Sequence, residues 1–410
     1  MNVAALNVTS AARIDDAIIS NEYHTYSPYP SAGFDENHEI RIPIQNQDGY
    51  TTPGDSYLVM QGKLTKIPAA DGSNAHAFDD AKHKVVLNGF AFLFSEIRYE
   101  LNGTVIDQTR KPGLAGLIKG LCSFPVGSGH VSACNGFGDT EDAWNYLTGD
   151  FYVNVPLNHM LGFCEDFKKV LINIRQELVL IRSNTNRDML YTTDDATFQM
   201  KLTKVQWRIR HIQVNDAQRL KLLEVLSADP WLDLSFTTWE LHEMPLLQKT
   251  THHVWSVKTA PRLETPRYVL VCFQTGRKAT VLKSAAEFDN IKLREIKLYL
   301  NGVAYPYDNL NADLHKGVWA PFYDMYQNFQ RSYYGKEPRP YVSMKSFINK
   351  YFIVVLDCSK QPETIKSGSV DVHLEWVCAE NVPDETAAYC LILHDRFVQY
   401  KPLTSAVQIL

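Results

Sequence analysis

Two nine-residue stretches constrain this chain more than anything else in it. Ser95-Glu96-Ile97-Arg98-Tyr99-Glu100-Leu101-Asn102-Gly103 is echoed by Arg294-Glu295-Ile296-Lys297-Leu298-Tyr299-Leu300-Asn301-Gly302, and the copies lie about half the 410-residue chain apart. Each reads as a β-strand running into a tight turn. Ile97, Tyr99 and Leu101 share one face of the first strand, as Ile296, Leu298 and Leu300 do in the second. Asn-Gly is the strongest short hairpin signal, because both residues tolerate positive φ. A strand followed by Asn-Gly recurs by chance in many β proteins, so the echo draws its force from the order of elements around it.

That order is duplicated. In the first half, strand signals run through Ile40 to Ile44, Tyr57 to Leu64 after a Pro53-Gly54-Asp55 turn, Val85 to Phe94 and the first hairpin. Leu114, Leu117, Ile118 and Leu121 then have helical spacing, which Gly113, Gly116 and Gly120 restrict to a short helix. A Gly/Ser-rich loop from Gly127 to Gly138 follows, then alternation at Phe151, Val153 and Val155. Two long runs, Val170 through Ile181 and Phe198 through Ile212, end the half. The second half repeats the scheme: strands at Phe236 to Leu241, His252 to Val257, Tyr268 to Phe273 and the second hairpin. A helical aromatic stretch comes after that hairpin, and three strands end the unit. Between the halves Asn215 or Asp216 caps a helix whose stripe is Leu220, Leu223 and Leu226, with Leu222 beside it.

About eight antiparallel strands in each half, with long loops and few helices, predict an all-β chain of two tandem eight-stranded jelly-roll sandwiches. The predicted division is an extended N-terminal arm over 1–35, a first roll over 36–213, a linking helix over 214–230 and a second roll over 231–410. The length suits two domains of about 200 residues each. The arm holds an extended Tyr/Pro segment, and Tyr23, Tyr26 and Tyr29 are its candidate contacts with a neighbouring subunit.

Composition narrows the function. A formal charge of −5 gives no electrostatic case for broad nucleic-acid binding. No apolar run is long enough to span a bilayer, and the start of the chain has no signal-peptide pattern, so a soluble protein made inside the cell is expected. Seven cysteines, with no Cys-x-x-Cys pair, read as reduced core thiols.

No constellation calls for catalysis, a cofactor or a metal. His252 and His253 are neighbours on a strand and point to opposite faces, and His373 with Glu375 lacks a third ligand. Gly127-Ser128-Gly129-His130 has no Lys-Ser/Thr to make it a phosphate loop. Asp139, Glu141, Asp142, Glu165 and Asp166 read as solvated loop charges, although paired carboxylates on a β-sandwich could also serve glycoside chemistry. Lys204, Arg208, Arg210 and His211 alternate along a strand as a solvated face or a nucleic-acid contact.

In Asn21-Glu22-Tyr23-His24-Thr25-Tyr26, Glu39-Ile40-Arg41-Ile42, Phe94 through Gly103 and Leu161-Gly162-Phe163-Cys164-Glu165-Asp166, the chain resembles the double jelly-roll major capsid proteins of tailless phages, adenovirus, virophages and Polinton-type elements. Its texture is closest to capsid-like proteins of small invertebrate DNA viruses or elements. The resemblance covers about residues 20 to 405. It implies a homotrimer of pseudo-hexagonal outline that tiles an icosahedral shell around a DNA genome, which it contacts without reading sequence. It also implies minor or vertex capsid proteins as partners, synthesis inside the host cell and assembly in the nucleus. The repeated hairpin residues Glu96, Asn102, Gly103, Glu295, Asn301 and Gly302 are then structural, and the Gly127 to Gly138 loop and residues 303 to 345 are tower or inter-subunit candidates. Trp319 to Tyr334 fits either an interface or local core. The alternatives are a β-sandwich carbohydrate-binding or carbohydrate-active protein, and a host gene domesticated from such an element.

Overall fold

The computed structural model describes residues 17–30, 33–45, 49–67, 82–128, 137, 145, 148–193, 197–257, 266–277, 280–314, 316–361 and 370–410. Among the described residues, sixteen strands build two rolls. The first contains β1 (Ile18–Tyr26), β2 (Glu39–Ile44), β3 (Tyr50–Ile67), β4 (Phe94–Leu101), β5 (Thr104–Arg110), β6 (Asp150–Pro156), β7 (Gln176–Arg182) and β8 (Thr197–Val214). The second contains β9 (Leu232–Met244), β10 (His252–Val257), β11 (Pro266–Thr275), β12 (Leu293–Leu300), β13 (Val303–Tyr305), β14 (Ile353–Asp357), β15 (Val372–Cys378) and β16 (Thr386–Tyr400).

The first roll pairs its strands in the orders β1-β8-β3-β6 and β2-β7-β4-β5. The second pairs them as β9-β16-β11-β14 and β10-β15-β12-β13. Counted from its own first strand, the second roll has the same two orders as the first, so each strand from β9 to β16 has an equivalent among β1 to β8. All these neighbours are antiparallel. Short strands decorate the rolls: Leu171–Ile172 pairs with β3, Val407–Ile409 with β16, and His83–Val85 with Leu190–Thr192.

Local sequence explains much of this. Asn102 and Gly103 take φ of 47° and 82°, and Asn301 and Gly302 take 47° and 88°, so both hairpins turn through residues that tolerate the left-handed region. Strands with one face against the core alternate, as β10 and β15 do residue by residue.

Four expectations differ from the structure. Pro53-Gly54-Asp55 does not precede a strand but lies within β3, as a bulge where Tyr57 faces Arg208 and Thr52 faces Arg210. The run from Val170 to Ile181 is broken at Asn173 (φ 49°), which sends Leu171–Ile172 and β7 to different sheets. The predicted arm, 1–35, contains β1, which pairs with β8 along its length and stands where β9 stands in the second roll. The linking helix, α3 (Asp216–Ser227), is capped by Asn215 accepting the Gln218 N–H at 2.8 Å, yet it buries a different line of residues. Leu226 is buried and Leu222 half-buried, whereas Leu220 and Leu223 face solvent.

The other α-helices among the described residues are α1 (Pro112–Ser123), α2 (Gly162–Asp166), α4 (Ala320–Tyr334) and α5 (Met344–Asn349). The glycines of α1 do weaken its intrinsic propensity, but burial of almost the whole helix replaces what propensity lacks. A Cβ on Gly116 would come within 2.3 Å of the His159 carbonyl oxygen, so the glycine permits a close approach.

Inter-roll seam and candidate assembly surfaces

The two rolls exchange parts of their cores. Leu114, Leu117, Ile118 and Leu121 of α1, in roll 1, sit in the apolar cluster of roll 2. Leu234, Phe236, Val398 and Tyr400, in roll 2, sit in the cluster of roll 1. Strand β5 and helix α2 of roll 1 face β9 of roll 2 across this seam. Asp107, fully buried on β5, accepts the Thr238 hydroxyl at 2.6 Å and the Phe163 N–H at 2.9 Å. Asp166 accepts the Thr237 N–H at 2.8 Å. Glu165 and Asp166 are therefore not solvated loop charges. The Arg396 guanidinium donates to the Ile106 carbonyl at 3.1 Å, and Lys111 pairs with Glu243.

At the centre of the seam lies Lys119, which is 2% exposed. Its ammonium donates to both Glu165 oxygens, at 2.8 and 2.9 Å, and to the Tyr334 hydroxyl at 2.7 Å. It also lies over the rings of Tyr333 at 4.4 Å, Tyr334 at 5.0 Å and Trp239 at 5.3 Å. Burial acts to deprotonate it, but Glu165, Tyr333 and Asp166 together outweigh burial and hold its pKa above the ordinary lysine value. The helix supplying Tyr333 and Tyr334 is α4, whose Phe322, Tyr323, Tyr326 and Phe329 are buried. Tyr326 donates to the Leu121 carbonyl at 2.6 Å. Of the two readings open for Trp319 to Tyr334, local core is the one that applies to α4. The other face of α4, with Asp324, Asn328, Arg331 and Ser332, is exposed and polar.

Histidines held largely away from water, among them His159 and His394, make the fold acid-sensitive. His159, packed on Phe124 and Phe137, and His394, near Glu240, are both pushed by burial to a pKa of about 4 from an ordinary 6.5. The unfolded chain binds protons at these positions before the fold does, so stability falls as pH drops from about 6.5 towards 4. The loss is at most about 3 kcal/mol per histidine. Asp107 and Asp166, raised by burial, oppose this at the acid end. The urea midpoint at pH 5 is expected below that at pH 7, with a smaller difference in His159→Phe; equal differences in the two proteins would contradict this assignment.

The residues singled out in the sequence are not gathered into one site. Asn102 donates its side-chain amide to the Ser405 carbonyl at 2.7 Å, and Asn301 accepts the Asp371 N–H at 2.8 Å. Gly103 and Gly302 form the turn tips. Glu96 pairs with Arg98 at 3.3 Å, whereas its echo Glu295 accepts the backbone N–H groups of Leu310 and Asn311. Tyr23 lies on β1 with Arg210 and Arg208 over its ring at 5.2 and 5.8 Å, and it packs edge-on to Tyr57. Tyr26 bonds His211 at 2.9 Å, and Tyr29 accepts from Arg175 at 3.5 Å. Arg208, Arg210 and His211 of the basic strand face thus have aromatic and acidic partners of their own chain, among them Asp55, 3.2 Å from Arg210.

His373 does meet Glu375, at 3.2 Å, and also Ser256, at 3.1 Å. Among the described residues no group of three His, Cys, Asp or Glu could hold a metal. Asp139, Glu141 and Asp142, Cys134 and most of the Gly127 to Gly138 loop lie outside the described residues. The other six cysteines are buried and free, as expected for core thiols. No helix among the described residues is long and apolar enough to cross a membrane. Sequence reasoning missed Lys119, Asp107 and Tyr334. The one available signal was a lysine, Lys119, inside an otherwise apolar helical stretch.

A chain from the structure of the Sputnik virophage superposes with a TM-score of 0.64 at 11% identity, covering 100% of this chain and 92% of that one. A chain of the PBCV-1 virus capsid gives 0.61 at 10% identity over 98% of each chain. The mavirus major capsid protein gives 0.55 at 11% identity over 99% of this chain and 92% of that chain. No curated protein matches the chain by sequence. The model of the double jelly roll-like domain matches residues 83–398. With that match spanning most of its length, and with one strand order written twice, the chain belongs to the double jelly roll-like domain family.

Proposed function

We propose that this chain is a viral major capsid protein: three copies form a pseudo-hexameric tile, and tiles close an icosahedral shell around a DNA genome. The observation that carries this reading is the equivalence of the two rolls, locked by a buried seam into one unit. Three such units supply six similar lobes, which suits hexagonal packing in a shell. Similarity in fold to the mavirus major capsid protein and the PBCV-1 capsid supports it. The role is structural rather than catalytic. It works through burial of complementary surface, first within the trimer and then more weakly between trimers. Minor or vertex proteins and the enclosed genome are the partners it implies, the virion is the location, and nuclear assembly belongs to the same reading.

Light scattering coupled to size-exclusion chromatography tests it. A stable species of three chains is expected at micromolar concentration. A monomer that retains its β structure would overturn the reading, and glycan binding by that monomer would favour a carbohydrate-binding sandwich instead.

A further inference from the structure

The seam within the chain joins β5 of roll 1 to β9 of roll 2, and both are edge strands of their sheets. The strand equivalent to β5 in the other roll is β13, and the strand equivalent to β9 is β1. These two are also edge strands, and of the sixteen roll strands they alone contain no buried residue. The surfaces that meet inside one chain are thus covered, and their equivalents at the two ends of the same chain are bare.

The bare strands are also apolar where contact would fall. Ile18 and Ile19 on β1 are 46% and 67% exposed. Beyond the second hairpin, Val303 is exposed on β13. Tyr307, at 88%, is the most exposed large apolar side chain among the described residues. Counting from the Asn-Gly of each hairpin, Tyr307 stands where Gln108 stands in roll 1, one residue beyond the buried Asp107 that anchors the internal seam. A row of exposed apolar groups along an unpaired edge invites a partner strand, and an exposed tyrosine supplies large contact area at low entropic cost.

We infer that the partner is a second copy of this chain: β13 and Tyr307 of one copy receive β1 of the next, repeating between chains the β5 to β9 seam found within one. The contact is head-to-tail, with different surfaces on its two sides, so it builds a ring when the rotation closes. Three seams within chains then alternate with three between chains. This inference rests on the trimer reading and names the surfaces that make the trimer.

The test places a photo-crosslinker at the exposed position, Tyr307→p-benzoylphenylalanine, and irradiates the purified trimer. The expected product is two chains joined on a denaturing gel, with residue 307 linked by mass spectrometry to the peptide containing 18–26. Crosslinks from an intact trimer to any other segment overturn the inference and leave the trimer reading standing. A wild-type protein that is monomeric overturns the trimer reading and the inference with it. As an independent measure, Ile19→Asp combined with Tyr307→Asp is expected to weaken trimer formation at least tenfold, with an unchanged circular dichroism spectrum. Trimers of wild-type affinity would contradict the assignment.

Discussion

Replacing Lys119 by Met is expected to cost about 3–5 kcal/mol of stability, because it leaves the Glu165 carboxylate without its cation in a site largely closed to water. The magnitude comes from the stranded charge rather than from the ion pair as such. Adding Glu165→Gln to Lys119→Met is therefore expected to recover most of the loss, since a neutral amide can still accept from Tyr334. Urea unfolding of the wild type, the two single variants and the double variant closes the cycle. If Lys119→Met unfolds at the wild-type midpoint, the cluster adds nothing to the seam. If the double variant is no more stable than Lys119→Met, the loss lies in packing over Trp239, Tyr333 and Tyr334 and not in charge.

Gly162→Ala is expected to destabilise by about 3 kcal/mol or more, because the added Cβ would lie 1.7 Å from the Thr237 carbonyl oxygen. That atom belongs to the backbone of β9, so no side-chain rotation relieves the clash, and α2 must move away from the second roll. Moving it breaks the bond from Thr237 N–H to Asp166 and disturbs the one from Phe163 N–H to Asp107. The informative control is Gly103→Ala. Its Cβ would meet nothing within 4 Å, so only the left-handed φ of 82° is penalised, by about 1–2 kcal/mol. Thermal unfolding should rank the variants in that order. A Gly162→Ala protein as stable as the wild type would show that the rolls are not held this closely.

What the sequence disclosed depended on how local its cause was. The twin hairpins were legible because Asn-Gly sets its own backbone, and strands such as β10 and β15 because one covered face imposes alternation. Strand β1 gave no such signal: none of its residues is buried within the chain, so it read as an arm although its place in the sheet matches that of β9. The line buried by α3 was equally hidden, since leucines lie around much of that helix and only Leu226 among them is buried. The seam chemistry was out of reach for a different reason. Glu165 finds Lys119 from 46 residues away, and Asp166 finds Thr237 from 71 residues away, so their charges looked solvated until the rolls were placed side by side.

The most direct measurement of the central claim, that one chain supplies two equivalent positions in a larger ring, is single-particle electron microscopy of the purified oligomer. Six similar lobes in a hexagonal outline, built from three chains, is the expected result. A particle with any other number of lobes, or an isolated two-lobed molecule at micromolar concentration, would contradict it.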